Sequence, residues 1–186
     1  MRIEELRKKF EIETEWSAFP LHPETPTDGQ TLEQLFAGRS IDLEKSRLRL
    51  KQVADELGLP LGDRTMTYNS RLAQELAKWA ESRGKGDPFH EAVFRAYYVD
   101  GINIGKIKEL VSLAKSVGLL EKEAKSVLEE RTYKEAVDAD WSRSHQLGIT
   151  GVPTFVMDHQ GMVGFQPYEA LEHFLKTCGA KARHRG

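Results

Sequence analysis

The chain has 186 residues, 39% of them apolar and 30% charged, with a formal net charge of -2. That balance excludes a disordered segment, which needs low hydrophobicity and high net charge, and it lacks the basic excess of a nucleic-acid binder. The length fits one domain, or one carrying a large insertion, with a real core.

Ile3, Leu6 and Phe10 share one face of a short amphipathic helix. Glu11 to Phe19 then alternates polar with apolar or small residues, which predicts a strand. Pro20, Pro23, Pro26 and the Asp28-Gly29 pair predict a loop, since proline lacks a backbone donor and Asp-Gly favours turns. From Ser40 to about Leu147 the pattern is helical throughout. A first helix runs through Leu43, Leu50 and Leu57 to the Gly58-Leu59-Pro60 stop, and Asn69 is expected to cap a second through Leu72, Leu76 and Trp79. Pro88 suits the first turn of a third. Further helices follow from Ile107 to Gly118, from Lys122 to Leu128 and from Tyr133 to Leu147, with Gly148 as terminator. Thr154–Met157 and Met162–Phe165 read as a β-hairpin around Asp158-His159-Gln160-Gly161. A last helix from Tyr168 to Thr177 carries Leu171, Phe174 and Leu175, and the tail from Ala180 is expected to fray.

Met1 to Lys8 mixes charged with apolar residues, unlike a secretory signal, and no window approaches the roughly 20 apolar residues of a membrane span. Neither membrane nor nucleic acid is expected as a partner. The single cysteine, Cys178, excludes an intramolecular disulfide and fits a reducing, cytoplasmic setting.

Gly148-Ile149-Thr150-Gly151-Val152-Pro153-Thr154-Phe155-Val156 resembles the cis-proline loop of thioredoxin-fold proteins of the DsbA family, which follows a helix and opens a hairpin. Gly164-Phe165-Gln166-Pro167-Tyr168 is similar to the element after the hairpin in the FrnE-like branch of that family. Phe19-Pro20-Leu21-His22-Pro23 and Phe94-Arg95-Ala96-Tyr97-Tyr98 also match its pattern. The resemblance spans residues 1 to 177. It implies an α/β, thioredoxin-like fold with a large all-helical insertion, the first β-strand missing. Residues 1–39 and 132–186 would form the thioredoxin-like part and residues 40–131 the insertion. Gly151, Val152, Pro153 and Thr154 would bind substrate, and His22, Gln166 and Pro167 would edge the active site.

The family's Cys-x-x-Cys opens its first helix, where unpaired amides and the helix dipole stabilise a thiolate. That position would fall upstream of Met1, so no catalytic residue is assigned within this chain. Of two readings, a start inside a longer protein is preferred to a relic that has lost its site, because the Gly151–Thr154 loop is kept. The resemblance thus implies thiol–disulfide exchange with protein or small-thiol substrates, glutathione among them, without metal or organic cofactor; residues 1–186 alone would be inactive. The competing functions are a glutathione-dependent relative, such as 2-hydroxychromene-2-carboxylate isomerase or a kappa-class glutathione transferase, and a redox-dead peptide-binding module. Gln166-Pro167 argues against the former.

Cys178, at the close of the last helix, reads as an incidental thiol. The six histidines show no metal-ligand spacing. Trp79, Tyr97, Tyr98 and Trp141 read as core, Glu129-Glu130-Arg131 as a solvated helix end, and the oligomeric state is open.

Overall fold

A computed structural model describes residues 2–183. The chain divides into two compact units, Met1–Leu21 with Ala139–Gly186, and His22–Asp138. This division differs from an insertion over 40–131, because residues 22–39 pack with the helices. Asn69 Nδ2 donates to the carbonyls of Pro23 and Thr25 at 3.0 and 2.8 Å. Asn103 Nδ2 donates to Thr27 O at 3.0 Å. The cost of leaving these loop carbonyls dry is what the two amides remove.

The helical unit opens with β1 (Gln30–Thr31), which runs into α2 (Leu32–Leu35). Thr31 closes a capping box: its hydroxyl accepts from Gln34 N at 3.1 Å, and Gln34 Oε1 accepts from Thr31 N at 2.9 Å. Then follow α3 (Leu43–Glu56), β2 (Met66–Thr67), α4 (Arg71–Ser82), α5 (Gly86–Tyr98), α6 (Ile107–Ser116), α7 (Glu121–Glu130) and the start of α8 (Lys134–Gln146). The strands pair antiparallel, Gln30 opposite Thr67 and Thr31 opposite Met66. The regular elements of residues 40–131 are helices as expected, apart from the two residues of β2, too few to leave a period of two in the sequence. Gly29, at φ +85°, lies where a Cβ would run into the Tyr68 ring and the Thr67 carbonyl, so no larger residue fits this turn.

Ala73, Leu76, Ala77 and Ala80 recur at helical spacing on α4 and are buried with Trp79, Phe89, Leu110, Ala114, Ala124 and Leu128. The cap of α4 differs from expectation. Ser70 occupies the N-cap position without a side-chain capping bond, its hydroxyl accepting instead from Gln74 Nε2 at 3.2 Å, while Asn69 Oδ1 accepts from Arg71 N at 2.9 Å.

The Glu129-Glu130-Arg131 run is more than a solvated helix end. Arg131 ends α7 in the left-handed region, at φ +54°. There its guanidinium donates to both carboxylate oxygens of Glu75, at 2.7 and 2.6 Å. Arg71 Nε donates to the same carboxylate at 2.6 Å, and its NH2 group meets Asp138 at 2.7 Å. Glu75 is wholly buried. Burial pushes its carboxyl up, but the hydrogen bonds from Arg131 and Arg71 outweigh that and hold it below the ordinary range.

The other unit contains α1 (Arg2–Lys9), the end of α8, β3 (Thr154–Met157), β4 (Gln160–Val163) and α9 (Tyr168–Thr177). Leu6, Phe10, Leu171 and Leu175 form its core, with Ile3, Phe155 and Met162 against them. Residues 11–19 do not form the expected strand. Among the described residues no strand lies alongside to complete a ladder. Phe10 makes an isolated bridge to Ala182, Glu11 N donates to Lys181 O at 2.8 Å, and Ala18 N donates to Asp140 Oδ2 at 2.7 Å. The same pairing ties down residues 181–183, which were expected to fray; Arg183 N donates to Lys9 O at 2.8 Å. The rest of that tail, residues 184–186, lies outside the described residues.

The hairpin is real but two residues tighter than the sequence suggests: Met157 pairs with Gln160 and Thr154 with Val163. Asp158 and His159 both adopt positive φ, +48° and +63°, the combination a two-residue type I′ turn demands. Gln160 and Gly161, expected in the turn with Asp158 and His159, sit in β4. No helix among the described residues is long and apolar enough to cross a membrane.

Candidate functional site

The terminator Gly148, at φ +66°, releases the chain from α8 into Ile149–Pro153 and then β3. The Val152–Pro153 peptide is cis. Two local bonds hold this loop: Thr154 Oγ1 donates to Gly151 O at 2.7 Å, and Gly164 N donates to Pro153 O at 2.7 Å. Between them Val152 is 48% exposed and makes no hydrogen bond to another described residue.

Because Thr154 pairs with Val163, the residues after β4 return to the same end of the hairpin. Gln166 Nε2 donates to Val163 O at 2.7 Å, folding its side chain back under the strand. Pro167 precedes α9 as its N-cap, at φ -64°. Phe165, 59% exposed, and Val163, 58% exposed, form an apolar surface next to the loop. Gly151–Thr154 and Gln166–Pro167 are thus brought together.

His22 belongs to the helical unit. Its ring meets Phe36 edge-on at 6.3 Å. Burial, and then the nearby Arg39 charge, lowers its pKa below the ordinary histidine value. Cys178, half-buried, stands at the close of α9, where its thiol donates to Met157 O at 3.7 Å. Met157 is at the turn end of β3, so this thiol lies at the opposite end of the hairpin from Gly151–Thr154. A cleft of about 680 Å³ between α1 and the following segment, lined by Arg7, Lys8, Glu13 and Arg183 among others, shares no residue with the loop.

Sequence reasoning missed Arg2. Its guanidinium donates to Gln166 O at 2.7 Å and lies 4.3 Å from the Phe165 ring centre, a cation–π contact. Nothing in sequence spacing signals a pair so far apart. Phe165 and Val163 were legible only as strand residues. Their exposure follows from the tighter turn, which puts Phe165 beyond β4.

Comparison with known proteins gives this geometry its context. A family model described as a DSBA-like thioredoxin domain matches residues 1–176. The chain is 28% identical over 163 residues to an uncharacterized protein, YwbO, of Bacillus subtilis (strain 168), covering 83% of this chain and 76% of that one. A probable DsbA oxidoreductase of Streptomyces coelicolor, SCO1869, superposes with a TM-score of 0.78 at 25% identity, over 91% of this chain and 83% of that one. A 2-hydroxychromene-2-carboxylate isomerase shares the fold, with a TM-score of 0.62 at 20% identity over 74% of this chain and 66% of that one. The helix-rich architecture with its short hairpin is a DsbA-like thioredoxin fold, and the chain belongs to the DsbA-like thioredoxin domain family.

Proposed function

We propose that this protein takes part in thiol–disulfide exchange, with Gly151, Val152, Pro153 and Thr154 as the surface that receives an extended protein or small-thiol substrate. The observation that carries this reading is the unpaired backbone of the exposed Val152 between two locked neighbours. An amide and a carbonyl held in fixed positions can pair with an extended chain as a neighbouring strand would, and the exposed Val163 and Phe165 supply apolar contact beside it. Gln166 and Pro167 act indirectly in this reading: they set the strand end against which the loop rests.

Exchange needs a thiolate to attack a disulfide and a second thiol to resolve the mixed disulfide. Residues 1–186 hold one cysteine, placed at the far end of the hairpin. They therefore bind substrate without turning it over. The FrnE-like branch of the family and a reducing, cytoplasmic setting are part of the same proposal, supported by the Gly164–Tyr168 element and the single cysteine.

The test is NMR titration of residues 1–186 with a cysteine-containing peptide and, separately, with glutathione, alongside disulfide reduction of insulin. The expected result is perturbation of the Gly151, Val152 and Thr154 amides by the peptide, with no turnover. Perturbation by glutathione alone would favour the isomerase-like reading. Insulin reduction that survives Cys178→Ser would overturn the proposed chemistry.

A further inference from the structure

The helices α4 to α7 pack closely on one another, and α3 joins none of those packings. Of its fourteen residues only Ala54 is buried. Along one side of it, Leu50 and Leu57 are 52% and 40% exposed and Leu43 and Val53 are half-buried, while Leu48, 63% exposed, lies on the opposite side of the helix. A helix of this length is marginal in water without a packed face, since isolated helices shorter than about 12–15 residues hardly form. Its apolar residues are ordered for such a face. Leu43, Leu50 and Leu57 recur every seven residues, with Ser46 and Val53 between them, which are the a and d positions of a heptad. Arg49 and Glu56 flank the stripe one position before Leu50 and Leu57.

We infer that α3 is an interaction surface for a second copy of this chain, the two α3 helices packing antiparallel about a two-fold axis between residues 51 and 52. The charges select this arrangement. It sets Leu50 against Val53 of the second copy and Leu57 against Ser46. It also sets Arg49 against Glu56 of the second copy, and by symmetry Glu56 against Arg49, so two opposite-charge pairs form at once. Sliding the helices by one heptad brings Arg49 against Arg49 and Asp42 against Glu56, two repulsions. A parallel pairing brings Leu50 onto Leu50 but leaves Arg49 facing Ala54. Arg47 stays clear of the pairing, held at 3.4 Å from Asp63 and 3.6 Å from Glu44 of its own chain. Two helices of this length bury less than the usual interface, about 1,200–2,000 Å². The dimer is therefore weak and concentration-dependent.

The experiment is sedimentation equilibrium of the full chain from about 1 to about 500 µM, a span wide enough to catch a weak association. The mass should rise from 21.1 kDa toward twice that value. Leu50→Asp, at an exposed position, should abolish the rise while leaving the unfolding transition in place. Arg49→Glu and Glu56→Arg should each weaken association about 10-fold by turning attraction into repulsion. The double variant should recover it, and this recovery does not depend on how well either single variant folds. A chain that stays monomeric over the whole range overturns the inference, as does a dimer indifferent to Leu50→Asp. Failure of the double variant to recover overturns the antiparallel register.

Discussion

The two units of the chain solve the same packing problem with unequal means. The helical unit buries a broad apolar cluster drawn from four helices and fastens α4 to the α7–α8 turn with a carboxylate shared by two guanidiniums. The other unit has four buried residues at its centre and leaves Val152, Val156, Val163 and Phe165 exposed on and around its hairpin. The helical unit also exposes apolar side chains, Leu48, Leu50 and Leu120 among them, so the contrast lies in how much core each unit closes and in what its exposed residues sit beside. Apolar surface that would add to stability in the second unit is left open, and the proposed substrate loop lies beside it.

The comparison breaks most severely at Glu75. Glu75→Ala should cost about 3 kcal/mol, because it takes from Arg131 the carboxylate it grips with two bonds and leaves the largely buried Arg71 with Asp138 alone as carboxylate partner among the described residues. Urea unfolding followed through Trp79, which is buried in the same unit, measures it. The pH dependence follows from the same carboxyl. Its folded pKa lies below the ordinary value, so the unfolded chain binds more protons in the acid range and stability rises with pH there. The contribution is complete above the unfolded pKa of about 4.3 and is lost as pH falls through the lower folded value. Glu75→Gln should flatten that acid dependence while lowering stability near neutrality.

Leu6→Ala tests the smaller unit. Removing a side chain 1% exposed should cost about 2–3 kcal/mol. If the units differ as described, hydrogen exchange will speed up across β3, β4 and α9 while α4 and α6 stay protected. Uniform loss of protection in all of these would show that the chain unfolds as one piece.

Thr154→Val sharpens the comparison on the binding side. It removes the hydroxyl that holds Gly151 O and should cost about 1 kcal/mol. Peptide affinity should fall with little change in the unfolding of the helical unit. An unchanged affinity would mean that the loop needs no such lock.

Much of this was readable beforehand because glycine marks helix ends in a way that depends on one residue alone. Gly58, Gly118 and Gly148 all take positive φ after α3, α6 and α8, where the sequence places the stops. The α4 stripe and the resemblance around Gly151–Thr154 were legible for the same reason, being local. What failed was non-local or contrary to preference. Residues 11–19 alternate like a strand, but alternation cannot say whether a neighbour exists to pair with. Arg131 ends α7 in a conformation that glycine favours, and only the distant Glu75 explains why arginine stands there. Turn chemistry marks all four of Asp158, His159, Gln160 and Gly161, so the sequence predicts a turn two residues longer than the one formed. Arg2 was missed at the loop because nothing in the sequence pointed to its distant partners Gln166 and Phe165.

The two-residue turn at Asp158 and His159 decides which kinds of genetic change the hairpin can absorb. Both turn residues take positive φ, so exchanges are confined to residues that tolerate it, and Asp158→Asn with His159→Gly would suit the backbone better. A single inserted codon is another matter. Side chains along a strand alternate faces, so shifting β4 by one residue would turn Met162 out to solvent and Val163 in toward Leu6 and Leu171. It would also carry Gly164 away from the carbonyl of Pro153, undoing the loop. The hairpin's spelling has some latitude, and its length has none.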